Sequence, residues 1–129
     1  MILSTPEKMK IHFSNNRLVS EIQGEFNTAF PYLKIEFLKQ TSHRTKANYS
    51  KNTVAPETKL SEIKEIHTGT DIVFDENISV SDFENTIYEL FGINIQVFRR
   101  SGNIWLETTM TDNWTLKMQN EHGREITES

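Results

Sequence analysis

The amino-acid sequence predicts an α+β fold in which a strand–helix–strand unit occurs twice. Two segments carry apolar residues at helical spacing, short alternating strands flank each segment, and the two patterns match at an offset of about sixty residues. Two such units with right-handed crossovers in one antiparallel sheet give the ferredoxin-like arrangement, with both helices on one sheet face. We therefore expect a single domain over residues 1–129, with repeat-like units at about 9–40 and 70–100.

The two units resemble each other in pattern more than in identical residues. Residues 11–13 align with 72–74, and residues 33–37 align with 93–97 after one residue is skipped. Between these strands, apolar residues recur at i, i+3, i+7, i+10 and i+11, which keeps one face of a helix apolar. The two predicted apolar faces are Val19, Ile22, Phe26, Ala29 and Phe30, and Val80, Phe83, Ile87, Leu90 and Phe91.

The ends of both helices carry recognisable signals. Ser79 precedes the second helix, where its hydroxyl group can accept a hydrogen bond from a first-turn N–H group. Pro31 and Gly92 follow the two helices at equivalent places, one because it lacks a donor and the other because it tolerates positive φ. These signals predict helices that end at about residues 30 and 91.

A hairpin strand and a short helix are predicted at residues 103–124. With a two-residue turn at Ser101-Gly102, Phe98 faces Trp105, whereas a turn at Gly102-Asn103 sets Phe98 against Glu107. The first register pairs like with like, so we favour it. The final helix is predicted from about 113 to 122, with Gly123 as its end. A polar loop without internal periodicity occupies residues 41–58, and residues 60–66 suggest one or two helical turns.

The composition excludes several classes of protein. The 129 residues include no cysteine, which excludes disulfides, thiolate zinc sites, iron–sulfur clusters and cysteine nucleophiles. No apolar run approaches the roughly 20 residues of a membrane-spanning helix. Residues 1–10 are too polar for a signal peptide. We therefore expect a cytoplasmic protein with no membrane partner.

The net charge of −4 is unevenly distributed along the chain. Residues 1–56 hold eight Lys or Arg against four Asp or Glu, whereas residues 57–91 hold two against nine. The overall balance lacks the basic excess that is typical of nucleic-acid-binding proteins. A basic first unit beside an acidic second unit suggests self-association, for example head to tail.

Enzyme signatures are absent from the sequence. No two of the four histidines have the i, i+4 spacing of a helical metal site. Glycine-rich phosphate-binding loops and nucleophile-elbow motifs are missing. The acidic stretch 71–89 is typical of solvated surfaces. The sequence therefore predicts a protein that is not an enzyme and that needs no cofactor or metal.

The sheet face away from the helices is the most informative predicted surface. Alternation sends His12, Leu38, Val73, Phe98 and Trp105 to this face, with Lys34, Asn94, Gln96 and Arg100 among them. Exposed apolar patches generally mark interfaces, and binding energy concentrates in large aromatic anchors. We therefore predict an adaptor, assembly or regulatory module that binds protein, or a second copy of itself, through this face, the final helix or both. Its candidate interaction residues are Phe98, Trp105, Trp114, Leu38 and Arg100.

The alternative is a single-stranded nucleic-acid-binding domain. Aromatic and basic residues on an open sheet can stack bases and contact phosphate. In this interpretation Phe98 and Trp105 stack bases, while Lys34, Arg99 and Arg100 lie beside them. A basic loop at 39–51 adds the candidate phosphate contacts Lys39, Arg44, Lys46 and Lys51. The sequence segment 72–76 carries acids where RNA-recognition strands carry basic residues and glycine, which weighs against this alternative.

Overall fold

A computed structural model describes residues 7–39 and 52–129 of the chain. The described residues form five β-strands, four α-helices and one 3-10 turn at Thr109–Thr111. In chain order these elements are β1 (Met9–Phe13), α1 (Val19–Ala29), β2 (Leu33–Phe37), α2 (Leu60–Ile63), β3 (Thr70–Phe74), α3 (Val80–Phe91), β4 (Ile95–Ser101), β5 (Ile104–Glu107) and α4 (Leu116–Glu128).

The strands form two antiparallel sheets, and this differs from the predicted ferredoxin-like arrangement. β1 pairs with β3, and a second sheet has the strand order β2-β4-β5. The α+β class and the antiparallel pairing are as predicted, but the single ferredoxin-like sheet is wrong because β2 pairs with β4. Alternation of apolar residues specifies which side of a strand is buried, whereas it does not specify the neighbouring strand.

The two units are related by their strand pairing. Ile11 lies opposite Ile72 in the β1–β3 pair, and Glu36 lies opposite Gln96 in the β2–β4 pair. Both pairs join positions that are equivalent in the sequence alignment of the two units. Equivalent strands therefore pair with each other, as expected for two units around a local two-fold axis.

The backbone hydrogen bonds at the helix starts also recur. The N–H of Val19 donates to the carbonyl of Thr58, and the N–H of Val80 donates to that of Trp114, both at 2.9 Å. In the same way, the N–H of Leu60 donates to the carbonyl of Arg17 at 2.9 Å, and the N–H of Leu116 donates to the carbonyl of Ile78 at 3.0 Å. Helices α2 and α4 therefore hold equivalent places, so the repeated units extend to residues 9–63 and 70–128.

The apolar side chains of both units form one core. Phe13 stacks on Phe91 with ring centroids 4.7 Å apart, and Phe26 lies 5.3 Å from Phe83. Each pair joins an element of the first unit to an element of the second unit. The core also includes the inward-facing residues Ile11, Ile22, Leu33, Ile35, Phe37, Leu60, Ile72, Phe74, Ile87, Ile93, Ile95, Val97 and Leu116.

The predicted ends of α1 and α3 are confirmed, whereas the prediction for α4 is wrong. The hydroxyl of Ser79 accepts a hydrogen bond from the N–H of Asp82 at 3.1 Å, and Gly92 ends α3 with φ +69°. Helix α4 begins after Thr115 and continues through Gly123 to Glu128. Gly123 is buried inside α4 and is not its end, and its lack of a side chain lets the helix lie close to Arg99 and Arg100 of β4.

The β4–β5 hairpin has the alternative register. Its turn is Gly102-Asn103, so Ser101 faces Ile104, Arg100 faces Trp105 and Phe98 faces Glu107. The predicted direct pair of Phe98 with Trp105 is therefore wrong, because a turn shifted by one residue moves the partner of Phe98 by two. Gly102 takes φ +64° at the first turn position, where two-residue hairpins of this kind favour glycine. Turn geometry outweighs the preference for pairing like side chains.

Candidate interaction surface

Three of the residues on the predicted open face come together on the β2–β4–β5 sheet. The Nζ atom of Lys34 lies 5.5 Å from the ring centre of Phe98 and 5.2 Å from that of Trp105. Phe98 and Trp105 are diagonal neighbours on adjacent strands, and the lysine lies over both rings. Because Lys34 also pairs with Glu36 at 3.3 Å, its charge is already compensated within the chain.

The predicted residues of this face differ in how exposed their side chains are. Phe98 is only 9% exposed and Leu38 is only 4% exposed, so neither offers an aromatic or aliphatic anchor to a partner. Arg100 is exposed, and its Nε donates to the carbonyl of Gly102 at 2.9 Å. Trp105 is half-buried. The open face therefore presents Arg100 and part of Trp105, rather than the continuous aromatic platform that alternation suggested.

The other sheet holds two residues that were assigned to the same face. His12 and Val73 lie on β1 and β3, where the His12 Nδ1 atom is 2.7 Å from a carboxylate oxygen of Asp71. The predicted single sheet would place these residues on one face with Phe98 and Trp105. This is wrong, because β1 and β3 form a sheet separate from that of β2, β4 and β5.

Of the candidate phosphate contacts, only Lys39 lies within the described residues. It is exposed and lines an open cavity of about 490 Å³ with Thr53, Thr58 and Glu62. Arg44, Lys46 and Lys51 lie outside the described residues. The basic loop therefore remains a prediction.

Trp114 lies away from the open face, at the start of α4. The guanidinium carbon of Arg99 is 5.8 Å from the centre of its ring, and the ring of His122 meets it edge-on at 5.5 Å. Trp114 thus joins β4 to the flank of α4. Helix α4 packs on the side of β4 that carries Arg99, which is opposite to the open face.

A buried polar network anchors α4 to β4. The Oε1 atom of Gln119, which is 0% exposed, accepts a hydrogen bond from Nη1 of Arg99 at 2.7 Å. The Nε2 group of Gln119 donates to the carbonyl and hydroxyl oxygens of Thr111, both at 2.8 Å. The Nε of Arg99 is buried without a hydrogen-bond partner. Because burial disfavours the charged form, it lowers the pKa of Arg99 below its ordinary value.

An exposed apolar surface lies between β5 and α4. Ile104 and Leu106 are on the side of β5 that faces away from Trp105, the same side as Arg99. Met118 and Ile126 lie on one flank of α4, spaced eight residues apart around His122. We call this region the β5–α4 surface. Its exposed members are Ile104 (57%), Leu106 (38%), Met118 (48%) and Ile126 (40%), with Trp114 half-buried.

β5 also presents an unpaired backbone edge. The N–H of Thr108 donates to the carbonyl of Val97 in β4 at 3.3 Å. The N–H of Arg100 points away from β5 and donates to the carbonyl of Tyr32, just before β2, at 2.9 Å. Hydrogen bonding alternates along an antiparallel pair, so Ile104 and Leu106 direct their backbone groups toward β4. The N–H and C=O groups of Trp105 and Glu107 point away from the sheet, and within the described chain no group pairs with them.

The outer edge of β2, in contrast, is covered by side chains of α1. Nε2 of Gln23 donates to the carbonyl of Ile35, and Nδ2 of Asn27 donates to that of Leu33, both at 2.9 Å. Proteins usually shield sheet edges in this way, because a free edge is a template for another strand. The edge of β5 lacks such a cover among the described residues.

Sequence reasoning missed most of the β5–α4 surface. The prediction that α4 ends at Gly123 removed Ile126 from the helix, and the wrong hairpin register hid the free backbone groups of β5. Met118, His122 and Ile126 recur at i+4 spacing through Gly123, and this pattern could have indicated the longer helix.

Metal-binding and membrane-spanning features are not found in the described part of the chain. No group of three or more His, Asp or Glu side chains among residues 7–39 and 52–129 is arranged to hold a metal ion. In the same ranges, every helix is too short or too polar to cross a lipid bilayer.

Comparison of the chain with protein-family models, with curated proteins and with solved structures finds no match.

Proposed function

We propose that this chain is a small non-enzymatic protein-interaction module that binds through the β5–α4 surface. One observation carries the proposal: an unpaired strand edge lies beside exposed apolar side chains from two elements. Ile104 and Leu106 of β5 are 57% and 38% exposed, and Met118 of α4 is 48% exposed. Exposed apolar surface that borders an unpaired strand edge is typical of a binding site for another polypeptide.

The physical character of this surface suits a protein partner. The backbone groups of Trp105 and Glu107 supply directional hydrogen bonds, while Ile104, Leu106 and Met118 supply area that association removes from water. Trp114 adds a half-buried aromatic ring to this surface, and tryptophan is enriched among residues that dominate binding energy. The original candidates Phe98 and Leu38 are too buried for this role. Of the predicted set, Trp114 lies on the β5–α4 surface, whereas Trp105 contributes only its backbone edge and Arg100 lies on the other face of the sheet.

The geometry of the open face argues against the nucleic-acid alternative. Base stacking needs an accessible ring, whereas Phe98 is 9% exposed and Lys34 lies over it. Lys34 is also paired with Glu36. The remaining candidate phosphate contacts are Lys39 and the three basic residues outside the described ranges. We therefore retain protein binding as the proposed function.

Affinity recovery from native extract tests the proposal. The immobilised wild-type chain should retain one or more proteins, including untagged copies of itself where these are present. A double variant, Met118→Glu with Ile126→Glu, should lose them, because it places two carboxylates where binding would bury apolar side chains. Mass spectrometry identifies and quantifies the retained set.

A matched control keeps the interpretation specific. Val73 and Leu90 are 53% and 54% exposed but lie on β3 and α3. The variant Val73→Glu with Leu90→Glu introduces the same charge and should keep the retained set. Circular dichroism melting of both variants checks the fold. Equal retention by all three proteins, or retention of nothing by the wild type, would contradict the proposed function.

A further inference from the structure

We propose that β5 is the pairing edge for a second copy of this chain, joined antiparallel about a two-fold axis at Leu106. The two β2–β4–β5 sheets then form one continuous six-stranded sheet. This inference rests on the proposed function, since it names one partner of the β5–α4 surface.

The free backbone groups of β5 are self-complementary. Only Trp105 and Glu107, two residues apart, direct N–H and C=O groups outward. In an antiparallel copy centred on Leu106, Trp105 of each chain lies opposite Glu107 of the other. Each such pair exchanges two hydrogen bonds, so all of the outward groups of both strands are satisfied. Centring the pair on Trp105 would instead set Glu107 against Asn103 in the turn.

The side chains also match in this register. On the α4 side of the sheet, Leu106 meets Leu106 of the second copy, so apolar surface covers apolar surface. On the open face, Glu107 lies beside Trp105 of the second copy, whose neighbour in the same row is Arg100. Glu107 and Arg100 are both exposed. Arg100 of the second copy is two strands away from Glu107, about 10 Å, and the two Glu107 side chains are diagonal neighbours, so charge does not favour the pairing.

The edge carries little that would prevent such pairing. Natural edge strands usually include proline, lysine or a bulge that discourages a second strand. β5 has the sequence Ile-Trp-Leu-Glu, with three consecutive apolar residues and one acid. The single acid, Glu107, lies beside Trp105 of the second copy in the two-fold arrangement. An unrelated extended peptide would need to supply the same complementarity by chance, whereas a second copy supplies it by symmetry.

A cysteine cross-linking experiment tests the register directly. The chain has no cysteine, so one introduced thiol gives an unambiguous signal. Directly opposed residues of a non-hydrogen-bonded pair have Cα atoms about 4.5 Å apart, within the range that a disulfide spans. Leu106→Cys should therefore give a covalent dimer under mild oxidation, seen on a non-reducing gel.

Ile104→Cys is the matched control on the same face of the same strand. In the proposed register position 104 lies opposite Thr108 of the second copy, and the two substituted positions are separated by four residues along the strands, roughly 13 Å. This variant should not form the covalent dimer. Equal cross-linking of both variants, or none from Leu106→Cys, would overturn the proposed register.

A proline variant tests the backbone pairing itself. The N–H of Glu107 points away from β4, so Glu107→Pro removes an intermolecular donor without removing a β4–β5 hydrogen bond. By analytical ultracentrifugation, the wild type and Glu107→Gln should sediment as dimers and Glu107→Pro as a monomer. Circular dichroism should show that all three are folded.

The failure of this inference is distinguishable from the failure of the proposed function. A wild-type chain that stays monomeric at high concentration overturns the dimer. If the α4 double variant then still loses proteins that the wild type retains, the β5–α4 surface binds a different partner. If the wild type stays monomeric and the α4 double variant retains the same proteins as the wild type, both proposals are wrong.

Discussion

Ile11 and Ile72 lie directly opposite each other in the β1–β3 pair, and they are also the same position of the two units. Both are nearly fully buried, at 4% and 2% exposure. The same relation holds for Glu36 and Gln96 in the other sheet. The chain thus pairs each strand of one unit with its own equivalent, which interlocks the two units through a shared core instead of placing them side by side.

Equivalent helix starts differ in how they are capped, and this difference leads to the first prediction. Thr115 accepts a hydrogen bond from the N–H of Met118 at 3.0 Å, whereas Lys59, at the equivalent position before α2, has no side-chain cap. The two residues share nearly the same extended backbone conformation, with φ −74° and −76°. Lys59→Thr should therefore add the missing hydrogen bond and raise the free energy of unfolding by about 0.5–1 kcal/mol.

Urea denaturation measures this gain. Lys59→Ala is the control, because it removes the same charge without adding an acceptor and should not stabilise the chain to the same extent. Thr115→Ala should show the reverse effect at the other helix, a loss of about 1 kcal/mol. A gain from Lys59→Ala equal to that from Lys59→Thr would show that charge, and not capping, is responsible.

The second prediction concerns the buried amide that holds α4. Gln119→Leu keeps the side-chain volume but leaves Nη1 of Arg99 and two oxygen atoms of Thr111 without their partner. Unsatisfied buried groups each cost about 1–3 kcal/mol, and Nε of Arg99 already lacks a partner. We expect the free energy of unfolding to fall by about 2–4 kcal/mol.

Chemical denaturation of Gln119→Leu tests this expectation, and Met118→Leu is the neighbouring control. Met118 is 48% exposed, so its replacement should change stability by less than about 0.5 kcal/mol. Near-equal stability of Gln119→Leu and the wild type would mean that the amide network contributes nothing beyond packing.

The sequence anticipated the local elements better than their assembly. Apolar spacing identified α1 and α3, and Ser79 and Gly92 marked the ends of α3, because these signals act within one turn of helix. Strand partners depend on residues about sixty positions apart, so alternation at β2 did not distinguish β3 from β4. The β5–α4 surface depends on the hairpin register and on Gly123 lying inside a helix, and both are decided by tertiary contacts.

The third prediction is a loss of stability in acid at the start of the second unit. Oδ1 of Asp75 accepts a hydrogen bond from the N–H of Asn77 at 2.7 Å, and Lys8 lies 3.2 Å from Oδ2. The backbone hydrogen bond first, and the lysine second, hold the pKa of Asp75 below its ordinary value of 3.8. A depressed folded-state pKa stabilises the chain above the ordinary value, and this contribution is lost as pH falls through the folded-state pKa.

Asp75→Asn therefore should be less stable than the wild type at neutral pH, and the difference should shrink as pH falls below 3.8. Urea denaturation at a series of pH values measures it. Lys8→Ala should keep most of the pH dependence, because the backbone hydrogen bond is the larger cause. A difference between wild type and Asp75→Asn that grows toward low pH would contradict the assignment.

The fourth prediction contrasts two glycines in helices. A Cβ atom at Gly123 would lie 3.0 Å from Cβ of Tyr32, 3.1 Å from Cγ of Arg99 and 3.2 Å from the carbonyl oxygen of Arg100. Because one of these neighbours is backbone, α4 must move away from β4 to accept it. Gly123→Ala should therefore lower the free energy of unfolding by about 1–3 kcal/mol, the usual cost of overpacking.

Gly24 in α1 is the matched control, because a Cβ atom there meets nothing within 4 Å. Gly24→Ala should raise the free energy of unfolding by about 0.5–1 kcal/mol, since alanine loses less backbone entropy in a helix. Measured together by urea denaturation, the same substitution should thus act in opposite directions. Stabilisation by both changes would mean that α4 does not rest closely on β4, and that the flank of α4 in the β5–α4 surface is not held in place by Gly123.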